Sequence, residues 1–109
     1  MTGADFRSIT FYNCNLNSAN LTGSNLTGSG YAYSNLTSAN FTNANMSYNF
    51  SYGTNFTNAN FSGANFTSLS FTDFSGNVLT GAHGTGITGV PTTLPPSYSL
   101  VSGTLTFTP

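Results

Sequence analysis

An all-β fold, a chain wound into a four-sided coil and stacked on itself, follows from three observations. Large apolar residues recur every five positions: Phe6, Phe11, Leu16, Leu21, Leu26, Tyr31, Leu36, Phe41 and Met46, then, after Ser51, Phe56, Phe61, Phe66 and Phe71. Two places before most of them stands a small residue, such as Ala4, Cys14, Ala19, Ala39, Ala44, Ala59 or Ala64, and directly before comes Asn or Asp. Ser, Thr, Asn and Gly fill more than half of the 109 positions, while charged residues make up 3%.

A period of five matches neither the 3.6 of a helix nor the 2.0 of a flat strand. Within a unit, the small residue and the large centre alternate about an outward Asn, which is strand-like. The last two residues must then turn the chain so that the next centre also faces inward. Four such turns close a square, and the climbing chain pairs with itself at the ordinary strand spacing of about 4.8 Å. The large centres above should therefore form the core. Thr, Ser, Asn and Gly suit the corners because they make turns and satisfy their own backbone.

Ala39-Asn40-Phe41-Thr42-Asn43, Ala59-Asn60-Phe61-Ser62-Gly63 and Ala64-Asn65-Phe66-Thr67-Ser68 follow the pattern A-(N/D)-(L/F)-x-x throughout. These units resemble the pentapeptide-repeat family, over about residues 4–81. The resemblance implies a right-handed quadrilateral β-helix of about four coils, with four units to the coil. Residues 1–81 would form this β-helix, and residues 82–109 a Gly- and Pro-rich tail with a short hairpin. Some members of the family mimic DNA and inhibit topoisomerases, but that role calls for a negative field, and the net charge here is −1.

Folding the units onto four faces leaves one face irregular. Its centres are Phe11, Tyr31, Ser51 and Phe71, and Asn49 occupies a place meant for a small residue. Tyr12, Tyr33, Phe50 and Tyr52 fall at outward places on this face, with Tyr48 at the neighbouring corner. The expectation is a local bulge that buries Phe50. The other reading is an exposed aromatic strip made of Tyr12, Tyr33, Phe50 and Tyr52, used for contact.

On the remaining faces Asn20, Asn40 and Asn60 align with Thr22, Thr42 and Ser62, and Asn15, Asn35 and Asn55 with Asn17, Thr37 and Thr57. Stacked Asn side chains can hydrogen-bond along such a ladder. The Thr arrays also look like an ice-binding surface, the alternative function.

The period slips near residues 69–74 and resumes as Thr72-Asp73-Phe74-Ser75-Gly76 and Asn77-Val78-Leu79-Thr80-Gly81. Beyond it the segment from Ala82 to Pro91 reads as a loop. Tyr98-Ser99-Leu100-Val101 and Thr104-Leu105-Thr106-Phe107 read as two strands about Ser102-Gly103. The tail, which resembles the ending of many bacterial members of the family, would serve as a cap or an inter-subunit arm.

Chemistry is poorly supplied. Two acidic residues, one basic residue, one His and one Cys give little acid–base capacity, so the chain reads as no enzyme, with no cofactor and no metal. His83 reads as a loop residue and Cys14 as an inert buried thiol. One basic residue excludes phosphate-neutralising nucleic-acid binding, and no apolar run approaches the length of a membrane span. The first residues lack the character of a signal peptide. The repeat begins three residues after Met1 with no cap ahead of it, and uncharged sheet edges invite pairing. The expected partner is therefore the chain itself. Head-to-tail stacking would build filaments or surface fibres outside the cell, and failing that the chain would be a small protein-interaction module.

Overall fold

The structure, a computed structural model, describes residues 3–69, 78–89 and 98–107. Within them the chain forms a four-sided solenoid. Parallel bridges join Asp5 to Asn25, Thr10 to Gly30, Asn15 to Asn35 and Asn20 to Asn40, one per side, and the register repeats one coil further on at Asn45, Phe50, Asn55 and Asn60. Each bridge sits at the outward place before a centre. The centre's N–H donates to the coil above, as from Phe41 to the Asn60 carbonyl at 2.7 Å, and the next corner closes by a bond such as Ala44 N–H to the Phe41 carbonyl at 2.9 Å.

Among the described residues most corners are closed by the same turn, although at Phe11–Cys14 the Cys14 N–H goes to the Ser34 hydroxyl and at Gly84–Ile87 the Ile87 N–H goes to the Gly103 carbonyl. The second residue of the corner has positive φ: Ser8, Asn13, Ser18, Tyr33, Ser38, Asn43, Tyr48, Asn58 and Ser68, with Gly at positions 3, 23, 28, 53 and 63. A positive φ at that place defines a type II turn. The fifth place of each unit, which the sequence pattern treats as free, is thus the conformationally restricted one, and its wealth of Gly and Asn is the signal for it. The Asn before each centre holds the first half of the corner. Asn40 Oδ1 accepts from the Thr42 N–H at 3.0 Å and the Thr42 hydroxyl at 2.5 Å, and Asn55 does the same for Thr57. These carboxamide oxygens serve their own corners.

The centres fill the interior. Leu21, Leu26, Tyr31, Leu36, Phe41, Met46, Phe56, Phe61 and Phe66 are all buried, and Phe6, Phe11 and Leu16 of the first coil pack against them only partly buried. Phe71 and the resumed register at 72–77 lie outside the described residues. Phe41 stacks on Phe61 at 5.2 Å and Phe11 on Tyr31 at 5.7 Å, one coil apart in each case. Small inward hydroxyls add cross-links: Ser34 donates to the Phe11 carbonyl at 2.8 Å and accepts from the Cys14 N–H at 3.2 Å.

The slip is an insertion of three residues. The last bridges join Asn55 to Val78, Asn60 to His83 and Asn65 to Thr88, a step of 23 residues in place of 20. The segment from Ala82, expected to be loop-like tail, therefore carries the ladder on to Gly89. Gly84 takes the place of a large centre and is buried. A Cβ there would meet the Phe61 carbonyl carbon at 2.8 Å and the Ser62 nitrogen at 2.9 Å.

The antiparallel strands β1 (Tyr98–Val101) and β2 (Thr104–Phe107) turn through Ser102 and Gly103, both with positive φ, the two-residue turn that matches strand twist. This hairpin lies on the last coil. Leu105 N–H donates to the Gly84 carbonyl at 3.1 Å, Ile87 N–H to the Gly103 carbonyl at 2.9 Å, and the Tyr98 hydroxyl to the Leu79 carbonyl at 2.7 Å. Leu105 joins the core, with Tyr98 and Leu100 packed against it. Gly103 lets the hairpin come this close, since a Cβ there would lie 3.0 Å from the Ile87 carbonyl oxygen.

Candidate functional site

The irregular face keeps its register without a bulge. Gly30 and Phe50 are bridged, Phe50 N–H donates to the Ser29 carbonyl and Tyr31 N–H to the Phe50 carbonyl, both at 3.2 Å. Phe50 therefore points outward, 36% exposed, and Ser51 inward and buried, which corrects the expectation of a buried Phe50. The ring lies over Gly30, where a Cβ would come within 2.3 Å of it. Gly30 breaks the Asn/Asp rule at the outward place because a side chain there would displace that ring.

The interior answers the same irregularity. The buried Tyr31 hydroxyl donates to Asn49 Oδ1 at 2.8 Å, and Asn49 Nδ2 donates to the Leu26 carbonyl. Ser51, small where the other coils carry a large centre, stands directly above Tyr31 in the stack. Tyr31, Asn49 and Ser51 are thus one arrangement: an oversized polar centre, a partner for its hydroxyl, and a reduced neighbour. With no charge nearby, burial alone pushes the Tyr31 phenol above its ordinary pKa.

Outside, the tyrosines form a ladder. Tyr33 sits edge to face against Tyr12 at 6.0 Å and against Tyr52 at 5.4 Å. Tyr12, Ala32 and Tyr52 follow one another in a single column, and Tyr33 enters from the next column. Ala32, 1% exposed, replaces the usual Thr or Ser and leaves room for the ring. Tyr48, Phe50 and Tyr52 run across the third coil, while Tyr52, Tyr33 and Tyr12 run down one corner, so the two rows meet at Tyr52. The structure thus brings Tyr12, Tyr33, Phe50 and Tyr52 together, with Tyr48 beside them. Sequence reasoning passed over Gly30 and Ala32, although both departures from the repeat were visible.

The rest of the surface offers little chemistry. Asp5 and Arg7 are exposed and paired at 2.9 Å, and that pairing lowers the Asp5 pKa and raises that of Arg7. Cys14 is only half-buried because it lies in the first coil, and its thiol reaches the Tyr12 carbonyl at 3.5 Å. His83 stands at an outward ladder place with Nδ1 3.2 Å from the Gly81 carbonyl. Among the described residues no cluster of His, Cys, Asp or Glu could hold a metal ion, and no helix is long and apolar enough to cross a membrane.

A family model described as Pentapeptide repeats matches residues 1–29 and 34–68 in eight copies. No curated protein sequence matches the chain. Among solved structures it is similar to HetL, a pentapeptide repeat protein involved in heterocyst differentiation regulation from the cyanobacterium Nostoc sp., at 18% identity and a TM-score of 0.50 over 75% of this chain and 45% of HetL. QnrB1, a plasmid-mediated fluoroquinolone resistance protein, shows 16% identity and a TM-score of 0.31 over 76% of this chain and 58% of its own. A pentapeptide repeat protein of the Arabidopsis thaliana thylakoid lumen shows 20% and 0.24 over 86% and 70%. The likeness to HetL is one of fold, and this chain spans less than half of HetL's length.

Proposed function

Because the chain belongs to the pentapeptide-repeat family, whose members form right-handed quadrilateral β-helices, we propose that it is a non-catalytic protein acting through protein–protein contact. Its first contact is with another copy of itself, end to end. The observation that carries this reading is a stacked parallel ladder with almost no charge: coil pairs with coil through the bridges Asp5–Asn25, Thr10–Gly30 and Asn15–Asn35, and a net charge of −1 sets no repulsion between identical coils.

The backbone supports it. In each of these bridges the second-coil residue makes both bonds, as Asn25 N–H to the Ala4 carbonyl and Phe6 N–H to the Asn25 carbonyl, so the N–H and C=O of Asp5, Thr10 and Asn15 point along the axis away from the second coil, the direction in which another coil would pair. The opposite end carries the hairpin, with Leu105 in the core. Growth through both ends, as a head-to-tail filament requires, would have to displace that hairpin. Two first coils facing each other, with antiparallel pairing, need no such change, so the assembly favoured here is a pair.

Light scattering after size exclusion, over a concentration series of the full chain, tests this, with negative-stain microscopy of the same samples. Leu16→Glu should abolish end pairing, because it places a charge in the contact. End pairing that survives Leu16→Glu rejects the reading, and so does a particle that stays monomeric at every concentration. Filaments would show that the hairpin yields.

A further inference from the structure

We propose that the aromatic face is a second, lateral contact between two copies of this chain, related by a twofold axis and separate from the first-coil edge. Four of the rings, Tyr12, Tyr33, Phe50 and Tyr52, are placed before any partner arrives. Tyr33 is held edge to face between Tyr12 and Tyr52, and Phe50 lies in the gap over Gly30. Ordering loose side chains on binding costs about 0.5–1.5 kcal/mol each, and for these four rings that cost has been met within the fold.

The area fits a self-contact. Tyr12, Tyr33, Tyr48 and Phe50 are 62, 44, 64 and 36% exposed. Aromatic side chains carry about 150–250 Å² each, so about 400 Å² of aromatic surface lies open per copy. A patch of that size is at the level where monomers use such surface for contact. Two copies meeting through it, with the polar residues at its rim, bury about 1,000 Å², the lower bound for a specific interface.

Charge allows the pairing and argues for a like partner. The face carries no ionised group, and the net charge of the chain is −1. Two copies therefore meet without repulsion, and the face offers nothing by which a charged partner would be chosen. Tyr and Phe are the residues that anchor interfaces, through apolar bodies and, for Tyr, a hydroxyl at the rim.

The repeat itself supplies the variants. Phe50→Asn restores the usual outward residue, Tyr12→Thr the usual corner residue, and Tyr48→Asn puts the better residue at a positive φ of 59°. The full chain and the triple variant are compared by sedimentation velocity from micromolar to millimolar concentration, each with and without Leu16→Glu. With end pairing removed by Leu16→Glu, the remaining association should weaken at least tenfold when the three aromatic residues are replaced. If the Leu16→Glu chain is monomeric throughout, or if it associates equally with and without the face, the proposal is overturned, while the end-pairing result is read independently. Tyr48→Asn alone, at an exposed corner, provides the same comparison, with at least a threefold weakening expected, should the triple variant lose its circular dichroism spectrum.

Discussion

The Tyr31 hydroxyl donates to the Asn49 carboxamide oxygen at 2.8 Å inside the solenoid, with both residues at most 1% exposed. Two departures from the repeat, 18 positions apart, thereby satisfy each other. A buried hydroxyl or carboxamide without a partner costs roughly 1–3 kcal/mol, which is why neither exception is tolerable alone.

Tyr31→Phe should therefore destabilise the fold by about 1–3 kcal/mol, by leaving the Asn49 oxygen without its donor. Asn49→Ala should cost a similar amount, and the double variant less than the sum of the two. Urea denaturation of the four proteins measures the coupling; strict additivity would show that the bond contributes nothing.

Stability should fall in alkali. Burial holds the folded-state pKa of Tyr31 above its unfolded value of 10.0. Below pH 10 the phenol is neutral in both states and the stability it supports is complete. Above pH 10 the unfolded chain releases this proton and the folded one keeps it, so stability drops by about 1.4 kcal/mol per pH unit for this group. Thermal melts from pH 8 to 11 should show the drop, shallower in Tyr31→Phe.

Gly84→Ala should destabilise by about 1–3 kcal/mol, because its Cβ would press on backbone at Phe61 and Ser62. The same residue accepts the Leu105 N–H, so the hairpin should loosen with it. Hydrogen exchange at the Leu105 and Ile87 amides should speed up in the variant; unchanged protection would separate the hairpin from Gly84.

Asn40→Ala should cost about 1–2 kcal/mol, because Thr42 loses an acceptor for both its N–H and its hydroxyl. Asn40→Asp keeps that acceptor and should remain within about 0.5 kcal/mol of the parent. The Thr42 and Thr57 hydroxyls donate within their own corners, which takes them out of the two short Thr columns as groups to order water, and no thermal hysteresis is expected at millimolar concentration.

The period of five, by itself, determined which residues face inward from Phe6 to Phe66, where the corners fall and that the chain stacks on itself. Each of these is set within one unit by side-chain size, turn chemistry and the alternation of a short strand. The aromatic residues of the irregular face were legible for the same reason, as departures from a regular pattern. Tertiary structure alone decided how the departures are resolved. Phe50 stays outside because Gly30, one coil away, leaves space for its ring, and Asn49 goes inside because Tyr31 supplies its bond. Residues 82–89 read as tail because three extra residues break the period and Gly84 replaces a large centre. They belong to the ladder because Leu105, from a hairpin remote in sequence, completes the core there. Volume and hydrogen bonding are balanced between coils, across 18 to 23 positions of chain, and a five-residue pattern carries no record of such compensation.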